Sequence, residues 1–141
     1  MTSHAASEYG YFEHEADIGV AGRGATVEAA FVAAAQATFA IMCPPARVEP
    51  VARIDVAFDE DEVEIALVTW LNLLLAHARE RGLALGAFAL RREAGRWIGE
   101  AWGEPWSAKH DRGTEVKGAT LTMLSVREGP AGWEARCVVD V

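Results

Sequence analysis

Residues 61–82 have the sequence DEVEIALVTWLNLLLAHARERG, and their pattern decides the fold class. Apolar residues recur at steps of three and four, which is typical of a helix that buries one face. The stripe consists of Val63, Leu67, Trp70, Leu74 and Ala78 and is widened by Leu71 and Leu75. Asp61 and Glu64 have the spacing of a capping box, and Gly82 after a basic last turn predicts a left-handed helix end. The stretch therefore predicts an amphipathic helix.

The residues before this helix predict a strand, a helix and a second strand. A polar and aromatic strand is expected at residues 9–15, ending at Asp17, and residues 22–26 are expected to form a loop. Thr26 is a suitable N-cap for a helix that the Pro44–Pro45 pair stops. Apolar residues alternate between positions 48 and 58, which predicts a half-buried strand.

The residues after the helix predict four strands in two hairpins. The first hairpin comprises residues 83–91 and 96–102, and the second comprises residues 114–127 and 133–141 with its turn at residues 129–132. The expected order is β-α-β-α-β-β-β-β, which favours an α+β fold. We expect a two-layer sandwich in which a mixed, mostly antiparallel sheet has two helices packed on one face. A doubly wound parallel fold is disfavoured because the last strands have no crossover helices.

Length and composition predict a single domain over residues 9–141 after a disordered tail at residues 1–8. The chain has 21 acidic and 13 basic residues and a net charge of −8, which argues against strong direct binding to nucleic acid. No apolar stretch matches a membrane span, and the first residues do not have the pattern of a signal peptide. The two cysteines lack a CxxC partner, which favours reduced thiols in a cytoplasmic protein with no membrane association.

Two carboxylates stand at the ends of predicted strands. Alternation along the last strand places Asp140 opposite its apolar face, and Asp17 lies where the first strand ends. If these strands are neighbours, the two carboxylates and a backbone oxygen near Val141 could bind a hard divalent cation. From the residues alone, a solvated strand end or a cap is the commoner role of such an aspartate. Both roles stay open at this point.

Nucleophilic catalysis has little support, because the sequence has no nucleophile elbow and no cysteine–histidine motif. No catalytic residue is therefore predicted. A small metal-dependent phosphoester hydrolase stays an alternative, in which Asp17 and Asp140 would hold the metal. Such an enzyme also needs a general base, for which His14 and Glu15 are the candidates.

A charged cluster lies in residues 113–118, which have the sequence GTEVKG. Glu115 and Lys117 share a face of their predicted strand. They favour either an exposed ion pair, worth at most about 1 kcal/mol, or a charged platform for a partner. The glycines at positions 22 and 24 precede a helix and could hold an anion, but they lack a phosphate-binding fingerprint and favour a plain turn.

Three segments of the sequence resemble signatures of the archease family. Residues 14–20, HEADIGV, resemble its N-terminal motif, and residues 103–117, GEPWSAKHDRGTEVK, resemble its most distinctive segment. Residues 138–141, VVDV, resemble its closing motif. The similarity includes residues 70–72 of the predicted helix and extends over residues 9–141.

The resemblance implies an accessory protein rather than an enzyme. Its partner would be an RtcB-type RNA ligase, which joins RNA ends in tRNA splicing and RNA repair. The protein would promote guanylylation and multiple turnover of that ligase. A metal-stabilised protein-binding or chaperone module with unrelated partners has the same expected fold and is a further alternative.

The resemblance also implies a set of site residues. The implied metal ligands are Asp17, Asp140 and the main chain of Val141, and the implied ion is calcium or magnesium. The residues implied in partner contact or activation are His14, Glu115 and Lys117. The sequence departs from the family pattern at Thr122, where a histidine is frequent, and at Glu15, where a small threonine is usual.

Overall fold

The computed structural model describes residues 9–14 and 17–141, which form eight strands and two α-helices. The strands are β1 (Tyr9–His14), β2 (Asp17–Gly24), β3 (Ala52–Asp59), β4 (Leu83–Glu93), β5 (Arg96–Pro105), β6 (Gly118–Ala119), β7 (Ser125–Gly129) and β8 (Gly132–Asp140). The helices are α1 (Val27–Ala40) and α2 (Val63–Arg81), and a turn of 3-10 helix lies at Pro45–Arg47. Residues 1–8, for which a disordered tail is expected, and residues 15–16 lie outside the described residues.

The strands form two sheets rather than the single sheet expected from the sequence. The first sheet has the order β1-β2-β8-β6, with β7 also paired to β8, and the second has the order β3-β5-β4. Every pairing among the described strands is antiparallel. Helix α1 contacts β2 and β8 of the first sheet and β4 of the second, so it joins both sheets in one core. The two helices and two antiparallel sheets confirm the α+β class.

The core forms where the two helices meet the sheets. Trp70 and Trp97 are fully buried, and the Trp97 ring stacks on Phe31 with 5.2 Å between the ring centroids. The Trp70 indole N–H donates to the main-chain oxygen of Phe31 at 3.0 Å, which fixes α2 against α1. Fully burying one large apolar side chain contributes about 1.5–3 kcal/mol. The stripe predicted from the sequence of α2 is buried at Leu67, Trp70, Leu71, Leu74, Leu75 and Ala78.

The ends of the helices follow the sequence in two places and depart from it in a third. Thr26 Oγ1 accepts the amide N–H three residues ahead at 3.1 Å, which confirms the N-cap of α1. Gly82 ends α2 with a left-handed φ of 64°, as its position predicts. The capping box at Asp61 is wrong, because the N-cap of α2 is Glu62 and its side chain makes no capping bond.

Residues 17–24 form strand β2, although the sequence predicts the end of a strand and a loop there. Glycines usually favour a loop, but here they permit close packing. A Cβ at Gly22 would collide with the main chain of α1 at Ala30 and Ala34, and a Cβ at Gly19 would collide with the Phe12 ring. The single first strand of the prediction is therefore a hairpin of β1 and β2.

The last hairpin closes at residues 129–132, as predicted, because its two glycines pair between β7 and β8. The strand expected at residues 114–127 is shorter, since only β6 and β7 belong to the sheet. Between them Thr120 and Thr122 keep main-chain hydrogen bonds to Val138 of β8, but the regular pairing is interrupted, and Met123 has a left-handed φ of 52°. An extended strand requires negative φ, so this conformation interrupts it.

The strands that flank α2 are confirmed in type and approximate position. In β3 the alternating residues Ile54, Val56 and Phe58 are buried. Strands β4 and β5 form the predicted hairpin, whose turn residues Ala94 and Gly95 both have positive φ.

Two further features concern the environment of the protein. Cys43 and Cys137 are buried and form no disulfide. Neither α1 nor α2, the helices in the described part of the chain, is long and apolar enough to cross a membrane.

Candidate metal and partner site

Asp17 and Asp140 lie at the same end of the first sheet. Strands β2 and β8 are antiparallel neighbours whose last paired residues at this end are Ile18 and Val139. One further step of the same register places Asp17 opposite Asp140. The metal-site hypothesis depends on the first and last strands being neighbours. The neighbour of β8 is instead the second strand, which begins at Asp17. Asp17 is half-buried and Asp140 is exposed.

The other side of Asp140 is occupied by residues 117–118. The Lys117 N–H donates to the main-chain oxygen of Asp140 at 2.7 Å, and Gly118 pairs with Asp140 in the ladder of β6 and β8. Lys117 is exposed. The structure thus brings Asp17, Asp140 and Lys117 to the same end of the first sheet, although they come from three distant parts of the sequence. We call this end of the sheet the carboxylate edge.

The oxygens at this edge are the donors that a hard cation prefers. Neither Asp17 nor Asp140 forms an ion pair within the described residues. The main-chain oxygen of Asp140 is already used by Lys117, which leaves both carboxylates and the main chain of Val141 as donors. The Val141 side chain packs against the core and so fixes the position of its main chain. An all-oxygen set completed by water suits calcium or magnesium.

The described residues contain no group of three or more His, Cys, Asp or Glu side chains that could hold a metal ion. Any site at this edge would therefore depend on main-chain oxygen and water besides the carboxylates. His14 is the β1 partner of Asp17 across the hairpin, but its side chain lies outside the described part of the chain. Glu15, the second candidate base, also lies outside the described residues.

Side chains of α2 hold the segment that carries Lys117. Asn72 forms two hydrogen bonds with one residue of β6: its Oδ1 accepts the Ala119 N–H at 2.8 Å, and its Nδ2 donates to the Ala119 oxygen at 3.2 Å. Arg79 Nη2 donates to the main-chain oxygens of Val116 and Lys117 at 3.4 and 3.1 Å. Asn72 thus satisfies the main-chain groups of β6 that a neighbouring strand would otherwise pair with. Arg79 holds the residues just before β6 against α2 in the same way. Sequence reasoning missed both roles.

Glu115 and Lys117 are both exposed on either side of the buried Val116. They are not on a strand, because β6 begins at Gly118. The ion pairs formed by the described residues do not include one between them. The ion-pair interpretation is therefore wrong for this structure, and the charged platform stays a prediction.

A buried carboxylate, Glu104, anchors the loop that leads to this segment. Its Oε2 accepts the Glu49 N–H at 2.8 Å, the Lys109 ammonium at 2.9 Å and the His110 Nε2 at 3.1 Å. The Glu49 N–H, followed by the Lys109 ammonium, lowers the pKa of Glu104 to about 2. The sequence placed Glu104 and His110 in a family-like segment but gave no sign of this cluster, because Glu49 is 55 residues away.

Ser107, His110 and Glu104 form a row that resembles a hydrolytic triad, with Ser107 Oγ 3.4 Å from His110 Nδ1. However, the Ser107 main-chain N–H already donates to that Nδ1 at 2.9 Å. A neutral imidazole has one acceptor nitrogen, so Nδ1 has no lone pair left for the hydroxyl proton and Nε2 carries the hydrogen given to Glu104. The His110 side chain is also fully buried. The row therefore stabilises the loop.

These features define a small α+β protein with a carboxylate edge held in place by its second helix. The model of the Archease protein family matches residues 9–141, and the chain belongs to the archease family. Protein archease of Pyrococcus furiosus is 34% identical over 140 residues, which cover 95% of this chain and 99% of the relative. Protein archease of Aeropyrum pernix is 30% identical over 135 residues, covering 92% and 94%.

Two solved structures share the fold. The solution structure of Methanobacterium thermoautotrophicum protein 1598 has a TM-score of 0.80 at 24% identity, covering 96% of this chain and 99% of the other. The crystal structure of an archease and possible chaperone from Thermotoga maritima has a TM-score of 0.67 at 19% identity, covering 92% and 94%. At these identities the likeness establishes the fold alone.

Proposed function

We propose that this protein is a non-catalytic, cytoplasmic accessory protein that binds an RtcB-type RNA ligase. It promotes the guanylylation and multiple turnover of that ligase in tRNA splicing or RNA repair. Membership of the archease family supports this class of role. The net charge of −8 favours a protein partner over direct contact with RNA phosphates.

The observation that carries the proposal is the meeting of Asp17, Asp140 and Lys117 at one edge of the first sheet. Two carboxylates on adjacent strands repel each other unless a cation lies between them. Calcium or magnesium would supply that charge, held by Asp17, Asp140 and the main chain of Val141. Lys117 would then offer an exposed ammonium to the partner, with Glu115 and His14 as further contact candidates.

The test is a guanylylation assay with the purified cognate ligase, GTP and divalent metal. Wild-type protein should raise the guanylylation rate, and Asp140→Asn should remove most of the increase. Asp61→Asn is the matched control, because Asp61 is exposed and precedes the first turn of α2, whereas the segment beside Asp140 is held by Asn72 and Arg79 further along that helix. No stimulation by the wild type would contradict the proposal. Hydrolysis of a phosphoester by the protein alone, lost in Asp17→Asn, would favour the hydrolase alternative.

A chaperone role is the second candidate, because the Thermotoga maritima archease is described as a possible chaperone. Leu121 and Met123 are 64% and 54% exposed and could contact unfolded apolar segments. Suppression of the thermal aggregation of an unrelated client, reduced by Leu121→Ser with Met123→Ser, would support this role. A protein that stimulates the ligase but leaves aggregation unchanged would exclude it as the main function.

A further inference from the structure

A small pocket lies beside the carboxylate edge, between the end of α1, the end of α2 and the loop of residues 106–113. Its volume is about 170 Å³. The apolar wall includes Phe39, Leu75 and Leu83, and the charged residues Arg79, Arg112 and Glu115 also line the pocket. We call this feature the α2 pocket.

The loop that covers the α2 pocket is fixed at three points. Glu104 binds Lys109 and His110 within it. The Trp106 N–H donates to the Gly82 oxygen at 3.2 Å, and the Gly113 N–H donates to the Met42 oxygen at 2.7 Å. The pocket is therefore formed before any ligand arrives, which lowers the entropic cost of binding.

The volume of the α2 pocket restricts what can occupy it. Pockets that bury whole metabolites measure about 300–1,000 Å³. A space of about 170 Å³ is smaller and suits a single apolar side chain. Protein interfaces commonly anchor one large side chain in such a preformed, desolvated pocket.

The charged residues at the lining favour particular residues next to the bound side chain in the partner. Arg112 is exposed and its guanidinium lies 4.1 Å from the centre of the Trp106 ring. Neither Arg79 nor Arg112 has a carboxylate partner among the described residues, although the chain has 21 acidic residues. Glu115 is the opposing charge at the lining and would repel a second carboxylate at its side. The arginine side therefore suits an acidic group.

The α2 pocket is continuous with the carboxylate edge. Arg79 lines the pocket and also donates to the Lys117 oxygen at 3.1 Å. Lys117 in turn donates to Asp140. The Lys117 main chain therefore links the pocket lining to the last residue of β8.

We propose that the α2 pocket is a docking site for an apolar side chain that is flanked by an acidic residue in the protein partner. The identification of that partner as the ligase rests on the proposed function, but the chemistry of the pocket does not. The occupant is a segment of protein, since a space of about 170 Å³ suits one side chain and the exposed Arg112 guanidinium at the lining favours a neighbouring carboxylate.

The direct test is an NMR titration of isotope-labelled protein with the acetylated peptide amide Asp-Leu-Ala, which carries one acidic neighbour beside the leucine. We expect shifts of the Trp106, Arg112 and Val116 amides with a Kd on the order of 1 mM, weakened by salt. The peptide Lys-Leu-Ala should bind at least about tenfold more weakly. Ala78→Leu, which fills the pocket, and Arg112→Ala should each abolish the shifts. The controls Ala87→Leu and Arg127→Ala alter exposed residues elsewhere and should keep them.

The proposal is overturned if neither peptide perturbs these amides, or if both peptides bind equally. It is also overturned if Arg112→Ala binds the acidic peptide with the affinity of the wild type. Arg112 is exposed, so this substitution should leave the protein folded. The amide spectrum of each variant shows whether it is folded.

A ligase assay separates this inference from the proposed function. Ala78→Leu and Arg112→Ala should raise the protein concentration needed for half-maximal stimulation by about tenfold, as expected for loss of an anchor. Stimulation by all variants at wild-type concentration would overturn the inference and leave the proposed function intact. Failure of the wild type to stimulate would remove the ligase as partner, and the peptide titration would still decide the pocket chemistry.

Discussion

The main-chain N–H of Lys117 donates a 2.7 Å hydrogen bond to the main-chain oxygen of Asp140. This bond attaches the most distinctive family-like segment to the last strand of the sheet. The Lys117 side chain takes no part in it, so the ammonium remains exposed while the backbone is held. A substitution of Lys117 can therefore remove the ammonium and leave the main-chain hydrogen bond in place.

Lys117→Gln is expected to remove ligase stimulation without weakening the fold. Only the exposed ammonium is lost, and exposed substitutions usually change stability by no more than about 0.5 kcal/mol. Guanylylation rate and chemical denaturation of the same sample provide the two measurements. Arg127→Gln is the charge-matched control, because Arg127 is exposed and lies near the turn of the β7–β8 hairpin, at the other end from Asp140. A stimulating Lys117→Gln variant would show that the ammonium is dispensable.

Asn72→Ala should loosen β6. The substitution leaves the N–H and oxygen of Ala119 without their partners on α2, at a cost of about 1–3 kcal/mol. Amide hydrogen exchange at Ala119 should become faster, whereas exchange at Val20 in β2, which is separated from β6 by β8, should change less. Asn72→Asp keeps the acceptor and loses the donor, so it should have an intermediate effect. Unchanged protection of Ala119 in Asn72→Ala would refute this role.

Glu104 should make the stability of the protein sensitive to acid. Its folded-state pKa is about 2, below the ordinary value of 4.5, because the Glu49 N–H and the Lys109 ammonium stabilise the carboxylate. A lowered pKa means that the unfolded state binds the proton more readily, so stability falls as the pH drops from about 4.5 toward 2. Above this window the stabilisation is fully present.

The measurement is urea unfolding between pH 7 and pH 3 for the wild type and for Glu104→Gln. The variant should be less stable at pH 7 and should lose less stability on acidification than the wild type does. Glu128→Gln, at an exposed residue of β7, is the control. Equal pH dependence of Glu104→Gln and the wild type would contradict the assignment.

Gly22→Ala should destabilise the protein by about 1–3 kcal/mol or more, as overpacking of a close contact does. The added methyl group would meet the main chain of α1, which can move away only as a whole helix. Gly10→Ala in the neighbouring strand is the matched control, because the nearest atom to its Cβ is an Arg23 side-chain nitrogen at 4.0 Å. Equal midpoints for the two variants in thermal unfolding would argue against the close approach of β2 and α1.

The parts of the fold that depend on local pattern could be predicted from the sequence. The α2 stripe, the Thr26 cap, the β4–β5 hairpin and the turn at residues 129–132 all follow from local spacing. Strand β2 could not, because Gly19, Gly22 and Gly24 indicate a loop unless the packing of α1 is known. The division into two sheets also depends on long-range pairing, which periodicity does not encode.

The candidate site divides in the same way. Asp17 and Asp140 were found from strand-end position together with family-like motifs, yet their proximity depends on the pairing of β2 with β8. The hydrogen bonds of Asn72 and Arg79 join residues that are 37 to 47 positions apart, so no local pattern predicts them. Glu104 was missed for the same reason, since its strongest partner is the Glu49 main chain.

Calorimetric titration of the metal-free protein with calcium tests most directly whether the Asp17 and Asp140 carboxylates share one divalent cation. We predict one binding site in the wild type and in Asp61→Asn, with weaker binding of magnesium at the same site. Asp17→Asn and Asp140→Asn should each lose calcium binding. Circular dichroism of each variant checks that it is folded. Absence of calcium and magnesium binding in the wild type, or unchanged binding in both variants, would contradict a shared cation.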